Sequence, residues 1–154
     1  AGVQTCALPI YGVVLPGAGG AVTGDDARRH LSERRHEFVM DGQGVRCVSD
    51  KDWATAAETS ECAIAHLLAG DSETALGLFA TTQPMRRDDG RYLTGIVYPD
   101  LVTFPHEECS TYTAAAVVLA ADALSGSSPA SGIFVDHSTL PDVIDVEPLV
   151  HETD

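Results

Sequence analysis

The sequence predicts an all-α fold of stacked helical hairpins, a C-terminal slice of an (α/α)6 toroid. One observation is an internal repeat, in which an Asp-Gly turn followed by an apolar run occurs twice with a period near 50 residues, at 58–71 and 109–122. The other is that amphipathic and almost wholly apolar helical patterns alternate, as outer and inner helices do. One hairpin cannot bury its own apolar face and two cannot close a ring. The sequence is therefore expected to be a fragment of a longer protein.

The first predicted helix spans residues 25–40. Ala27, Leu31 and Phe38 recur on one face, and arginines and carboxylates occupy the other. This pattern is typical of an outer helix. The turn Asp41-Gly42 ends it and opens a loop.

The second predicted helix, residues 56–69, is small and apolar nearly all round, which is typical of an inner helix. Thr55 and Glu58 have the Thr-x-x-Glu spacing of a capping box, in which each side chain satisfies a backbone donor of the first turn. His66, on an otherwise apolar helix, is read as a core histidine with a hydrogen-bond partner.

The remaining two helices enclose the longest loop. The third is predicted at 72–83, capped by Asp71 and ended by Pro84. The loop at 85–109 exceeds the length of about 15 residues above which loops in compact domains are usually functional. The fourth helix, 110–124, contains the run 114–121, which is too apolar for a surface, and Phe134 is expected to fold back against the helices.

The chain divides into three segments. Residues 1–10 read as the in-frame translation of a common sequencing-library adapter, so they are left out of the fold prediction. Residues 11–135 are predicted to be the toroid fragment. Residues 136–154 are acidic and lack periodicity, and a disordered tail is expected there.

Charge and cysteine content limit which partners and which cellular compartment the sequence predicts. Nine Lys and Arg against 23 Asp and Glu give a net charge of −14, which disfavours nucleic acid and anionic lipid as partners. No apolar run approaches the roughly 20 residues of a membrane span. With Cys6 set aside, an odd number of cysteines without framework spacing indicates reduced thiols, so a cytoplasmic protein is expected.

Three segments carry a family resemblance: 38–50 (FVMDGQGVRCVSD), 53–62 (WATAAETSEC) and 88–124. They resemble the C-terminal end of a family of actinobacterial proteins that are classified as prenyltransferase-like or as members of the six-hairpin glycosidase superfamily, and the resemblance extends from residue 11 to about 134. It implies an α/α toroid, a fold that hosts glycoside hydrolases, terpene cyclases and protein prenyltransferases alike.

Two more distant resemblances point to different chemistries. Phe79-x3-Gln83 followed by Asp89-Gly90-x-Tyr92 is similar to the Gln-Trp repeat of squalene and hopene cyclases, with Tyr92 in place of the tryptophan. The run 110–115 resembles the last inner helix of bacterial glucoamylases. In those enzymes a catalytic-base glutamate precedes that helix, whereas Leu93, Thr94 and Gly95 follow Tyr92 here.

The toroid resemblance implies a cleft where the inner helices begin, walled by the loops at 41–58 and 89–111. Carboxylates and aromatic rings are mixed there, which suits a sugar, because rings stack on its apolar faces and glycoside hydrolysis needs two carboxyl groups. The candidate catalytic residues are Glu58, Glu61 and Glu108, and the candidate substrate-binding residues are Arg46, Trp53, Tyr92, Tyr98, His106 and Tyr112.

Several of these residues also have a structural explanation. Glu58 has the position of a capping-box residue, and Glu108 precedes a helix whose dipole favours a carboxylate. Trp53 is either a packing anchor or a stacking platform. His106, Cys109 and Cys62 supply zinc-ligand types, but no Asp-x-Cys pattern accompanies them. Neither a metal nor another cofactor is therefore predicted.

Three functions remain open. The first is a carbohydrate-processing, glycoside hydrolase-like protein, with a small-molecule or oligosaccharide substrate and the missing N-terminal part of the same chain as partners. The second is an isoprenoid enzyme, a cyclase or prenyltransferase, for which only 6% aromatic residues are few. The third is an inert binding scaffold. The fragment alone is expected to be inactive.

Overall fold

The structure, a computed structural model, describes residues 24–134. This part of the chain contains four helices and five short strands. The predicted adapter segment, 1–10, and the predicted acidic tail, 136–154, lie outside the described residues.

The helices and strands are numbered in chain order. The helices are α1 (Gly24–Phe38), α2 (Ala56–Leu68), α3 (Ser72–Ala80) and α4 (Thr111–Ser125), and the strands are β1 (Val39–Met40), β2 (Gly44–Arg46), β3 (Trp53–Thr55), β4 (Gly95–Val97) and β5 (Val102–Thr103). Short 3-10 turns follow α3 at Gln83–Met85 and α4 at Ser131–Ile133. All four predicted helices are present, but the first and third end earlier than predicted.

The prediction of an all-α fold is wrong. The five strands form one antiparallel sheet in the order β1-β2-β3-β4-β5, so the described residues have a mixed α/β architecture and not that of an α/α toroid slice. Residues read as loops pair across a long stretch of sequence: Trp53 lies opposite Val97 and Thr55 opposite Gly95. Strands of two or three residues are too short for an alternating pattern to be recognised.

The Asp41-Gly42 turn shows how the prediction failed. The sequence predicts that this turn separates a helix from a loop, but in the structure it connects β1 to β2 as a hairpin. The amide of Gln43 donates to the carbonyl of Met40 (2.9 Å), and Gly42 has φ +74°, a left-handed conformation that glycine adopts at little cost. Val39 and Met40 therefore pair as a strand and do not continue α1.

The core surrounds α2. Its central residues, Cys62–Ala65 in sequence, are buried against Leu31 and Phe38 of α1, Leu78 of α3 and Ala120 of α4. Phe134 packs against this cluster, as the sequence predicts. The second cluster lies between the sheet and α4 and contains Met40, Ala54, Ala56, Met85, Leu93, Ile96 and Val117.

Helix α4 buries only one of its faces within the described residues. Thr113, Ala116, Val117 and Ala120 are buried, whereas Val118 is 66% exposed. The expectation that the whole run 114–121 is buried is therefore not met here. None of the helices in residues 24–134 is long and apolar enough to cross a lipid bilayer.

The helix starts differ in how they are capped. The side chain of Asp71 accepts a hydrogen bond from the Thr74 amide (3.1 Å) and caps α3 as predicted. The capping box predicted for α2 is wrong, because Thr55 makes no side-chain bond to the helix backbone and its hydroxyl donates to the Glu58 carboxylate instead.

His66 is a buried histidine with a partner, as predicted. Its Nδ1 lies 3.2 Å from Oδ2 of Asp71. Burial lowers the pKa of His66 below its ordinary value, because the charged ring loses hydration, and this outweighs the opposing effect of the hydrogen bond that the ring donates to Asp71. Burial works to raise the pKa of Asp71, but hydrogen bonds from Thr74 and His66 hold it below its usual range.

This environment makes folding sensitive to pH. The unfolded chain takes up a proton at His66 near the ordinary pKa of 6.5, before the folded chain does. We therefore expect the free energy of unfolding to fall as the pH drops below about 6.5 towards the lowered pKa, and His66→Gln to reduce this slope. Urea unfolding at several pH values measures it, with the exposed His36→Gln as control. An unchanged slope in His66→Gln contradicts the assignment.

Candidate functional site

Thr94, immediately before β4, joins the starts of α2 and α4. Its carbonyl accepts a hydrogen bond from the amide of Ala56, the first residue of α2 (3.1 Å). Its own amide donates to the carbonyl of Glu108, three residues before α4 (2.8 Å). The two helices therefore begin side by side, and side chains on their first two turns can converge.

Glu61 and Tyr112 meet at this place. The Tyr112 hydroxyl donates to Oε1 of Glu61 over 2.6 Å, across 51 residues of sequence. The same spacing relates the two apolar runs of the repeat, so equivalent positions of the two copies are in contact. A hydroxyl that donates to a carboxylate favours its charged form, and the exposed Tyr112 ring places this pair at the surface.

Glu108 is the second candidate acid close to the joined helix starts. Its Oε1 accepts a hydrogen bond from the Thr94 hydroxyl (2.9 Å), so Thr94 holds both the backbone and the side chain of this residue. The side chain remains exposed and accessible to a ligand. Its neighbour Glu107 instead pairs with Arg87 (3.1 Å).

Glu58 lies in a network that is mainly structural. It is partly buried, and the hydroxyl of Thr55 donates to its carboxylate. The carbonyl of Thr55 accepts from the Thr59 hydroxyl (2.6 Å), which in turn accepts from the Val45 amide (2.9 Å). These bonds fasten the start of α2 to the sheet.

Arg46 and Tyr98 lie together at a separate groove of about 440 Å³, bounded also by His36, Gln43 and Pro99. The guanidinium of Arg46 pairs with Asp52 (2.8 Å), and the carbonyl of Asp52 accepts from the Tyr98 amide (2.8 Å). Burial raises the pKa of the Tyr98 hydroxyl, which therefore stays neutral.

Trp53 packs against an exposed aromatic ring, that of Phe104. Its ring contacts Phe104 edge to face, with centroids 5.1 Å apart, and its Nε1 is buried without a hydrogen-bond partner in the described part of the chain. Phe104 follows β5 and is half-exposed. Phe104 lies in the loop at 89–111 that is predicted to wall the cleft, but it is not among the predicted substrate-binding residues.

The last two candidates are more peripheral. Tyr92 packs against the second core cluster, and its hydroxyl lies 3.4 Å from the amide nitrogen of Gln83. His106 is exposed in the loop before α4, with φ +44°. Among residues 24–134 no three His, Cys, Asp or Glu side chains are placed to hold a metal ion.

The structure thus brings Glu61, Tyr112 and Glu108 to the joined helix starts, with Glu58 in the adjoining network. Arg46 and Tyr98 form a second group, and Tyr92 lies beside the core. Thr94 organises the first group but is not among the predicted site residues. In the sequence it stands out only because bacterial glucoamylases have a glutamate in this loop. Its role depends on pairing between distant backbone segments, for which the sequence carries no local signal.

Paired carboxyl groups are what glycoside hydrolysis requires, and the similarity of this chain to a known protein points to carbohydrate processing. The chain is 45% identical over 119 residues to the MMP endo-(1,4)-3-O-methyl-alpha-D-mannosidase of Mycolicibacterium hassiacum. The match covers 77% of this chain but 33% of that relative, so the chain spans about a third of the relative's length. No family model matches the chain. The similarity supports a carbohydrate-processing family.

Gly95 offers a direct test of the packing around Trp53. A methyl group added there would lie 2.5 Å from the carbonyl oxygen of Ala54 and closer still to the Trp53 indole nitrogen. We expect Gly95→Ala to lower the free energy of unfolding by about 1–3 kcal/mol, as overpacking does. Chemical denaturation measures the change.

Gly77 provides the matched control. It lies in α3 with no atom within 4 Å of an added methyl group. Gly77→Ala should therefore stabilise the protein by about 0.5–1 kcal/mol through helix propensity. Equal effects of the two substitutions would contradict the described pairing of β3 with β4.

Proposed function

We propose that this chain is part of a glycoside-cleaving enzyme that acts within α-(1,4)-linked, O-methylated mannose chains. The similarity to the endo-mannosidase supports the substrate and the reaction. The observation that carries the location of the site is the hydrogen bond between Glu61 of α2 and Tyr112 of α4, near the point where these two helices begin.

Glycoside hydrolysis needs two carboxyl groups. One protonates the glycosidic oxygen as the bond to the anomeric carbon breaks, and the other either activates a water molecule or attacks that carbon directly. The charged partner must remain ionised, and the Tyr112 hydroxyl favours this state in Glu61. Glu61 is accordingly the proposed carboxylate partner on this part of the protein.

Glu108 has a different proposed role. Its carboxylate is exposed, and Thr94 fixes it through a single hydroxyl, so further acceptor sites remain for sugar hydroxyls. Glu58 is committed to Thr55 and is proposed to position the start of α2, although the sequence predicts it as a catalytic candidate. The second acid of the reaction is proposed to come from outside this chain.

The partner that completes the site is proposed to be the rest of a longer polypeptide. The matched relative is about three times as long as the region it shares with this chain. Helix α4 also presents Ala114, Val118 and Leu119 to solvent, an apolar strip beside the proposed site. Additional polypeptide packed on this strip would bury it and form another side of the proposed site.

The test uses the full-length gene product that contains this segment. With a 3-O-methylated α-(1,4)-mannose oligosaccharide, we expect Glu61→Gln to lower kcat by about 100-fold or more, as the loss of an acid-base or nucleophilic group does. Tyr112→Phe should lower kcat by a smaller factor than Glu61→Gln, because the carboxylate remains but loses the hydroxyl that positions it.

Glu73→Gln is the matched control, since Glu73 is an exposed carboxylate on the first turn of α3. It should leave kcat and KM unchanged. Wild-type activity in Glu61→Gln, or no cleavage of any mannoside by the unmodified protein, would refute the proposal.

A further inference from the structure

Three apolar side chains are exposed together at β5. Leu101 is 65% exposed, Val102 55% and Phe104 52%. They lie within four residues at the edge of the sheet, and this group is called the β5 patch. Isolated exposed apolar residues are ordinary, but a contiguous group of this kind marks a binding surface.

The β5 patch is held rigidly. Val102 pairs with Val97 of β4, and the Phe104 amide donates to the carbonyl of Gly95 (3.1 Å). The Phe104 ring rests on the edge of Trp53. These contacts fix the patch on the sheet, so a ligand does not have to order it on binding.

The backbone around the patch is strained. Leu101 has φ +56° and His106 φ +44°, and within residues 24–134 they are the non-glycine residues with positive φ. A leucine in this region costs conformational energy, and such strain concentrates at functional sites. A glycine would adopt the Leu101 conformation at lower cost, yet the chain has an exposed leucine there.

The position of the patch connects it to the proposed active site. Phe104 bonds to Gly95, the residue after Thr94, and Thr94 joins the starts of α2 and α4. The chain then continues from Phe104 to Glu108. Phe104 and Glu108 are therefore bonded to consecutive residues, Gly95 and Thr94, at the start of β4.

We propose that the β5 patch is a subsite for the O-methyl groups of the sugar chain, and this rests on the proposed function. Leu101 and Val102 offer no hydrogen bond to a sugar hydroxyl, but they can bury a methyl group. Phe104 supplies a ring face for the C–H face of the sugar. The ligand is neutral, which fits a chain of net charge −14 with Glu107 and Asp100 beside the patch.

The test measures methyl preference directly. The full-length gene product that contains this segment, with Glu61→Gln to prevent cleavage, is titrated by calorimetry with two α-(1,4)-mannose oligosaccharides of equal length, one 3-O-methylated and one unmethylated. Each buried methyl group adds about fourfold in affinity, so two should give a preference of about tenfold or more.

Two variants and one control locate the effect. Phe104→Ala should weaken binding of both sugars, and Val102→Thr, which keeps the shape of the side chain, should reduce the methyl preference about fourfold or less while preserving the fold. Leu76→Ala, a similarly exposed apolar residue on α3, should change neither value. Circular dichroism confirms that each variant is folded.

Equal affinity for the two sugars overturns the subsite while leaving the proposed function intact. A methyl preference that survives both Phe104→Ala and Val102→Thr places the recognition elsewhere and also overturns it. Absence of binding by the protein that carries no substitution in the patch overturns the subsite as well, and hydrolysis by the full-length gene product with Glu61 intact then decides the proposed function separately.

Discussion

Two backbone hydrogen bonds of Thr94 organise this part of the protein. One fixes the first amide of α2 and the other the carbonyl of Glu108 before α4, so two elements more than 50 residues apart start at one place. The positive dipole ends of both helix starts favour nearby carboxylates. The contact between Glu61 and Tyr112, and the exposed position of Glu108, follow from this arrangement.

The sheet makes the junction rigid, that is, the place where Thr94 joins the starts of α2 and α4. Thr94 leads into β4, which pairs with β3, and β3 runs directly into α2. Gly95 allows the two strands to approach, because any side chain there would collide with Trp53 and Ala54. The same pairing supports Phe104 and β5, so the proposed subsite and the proposed catalytic carboxylates share one framework.

The sequence predicts the helices well because their signals are local. Apolar spacing, the Asp71 cap and Pro84 place α3, and the apolar run places α4. The strands were missed because each has two or three residues and pairs with a distant segment. For the site, the repeat aligns Glu61 with Tyr112, whereas Phe104 was missed because nothing in a loop sequence shows which apolar residue will be exposed.

The similarity to an endo-mannosidase favours carbohydrate processing over the isoprenoid enzyme and the inert scaffold that the sequence leaves open. The account depends on the junction at Thr94, which amide hydrogen exchange by NMR tests most directly. The amides of Ala56 and Thr94 should exchange about 100-fold or more slowly than in an unstructured peptide, as hydrogen-bonded core amides do. Exchange of both amides at unstructured rates would show that α2 and α4 do not start together and would contradict the account.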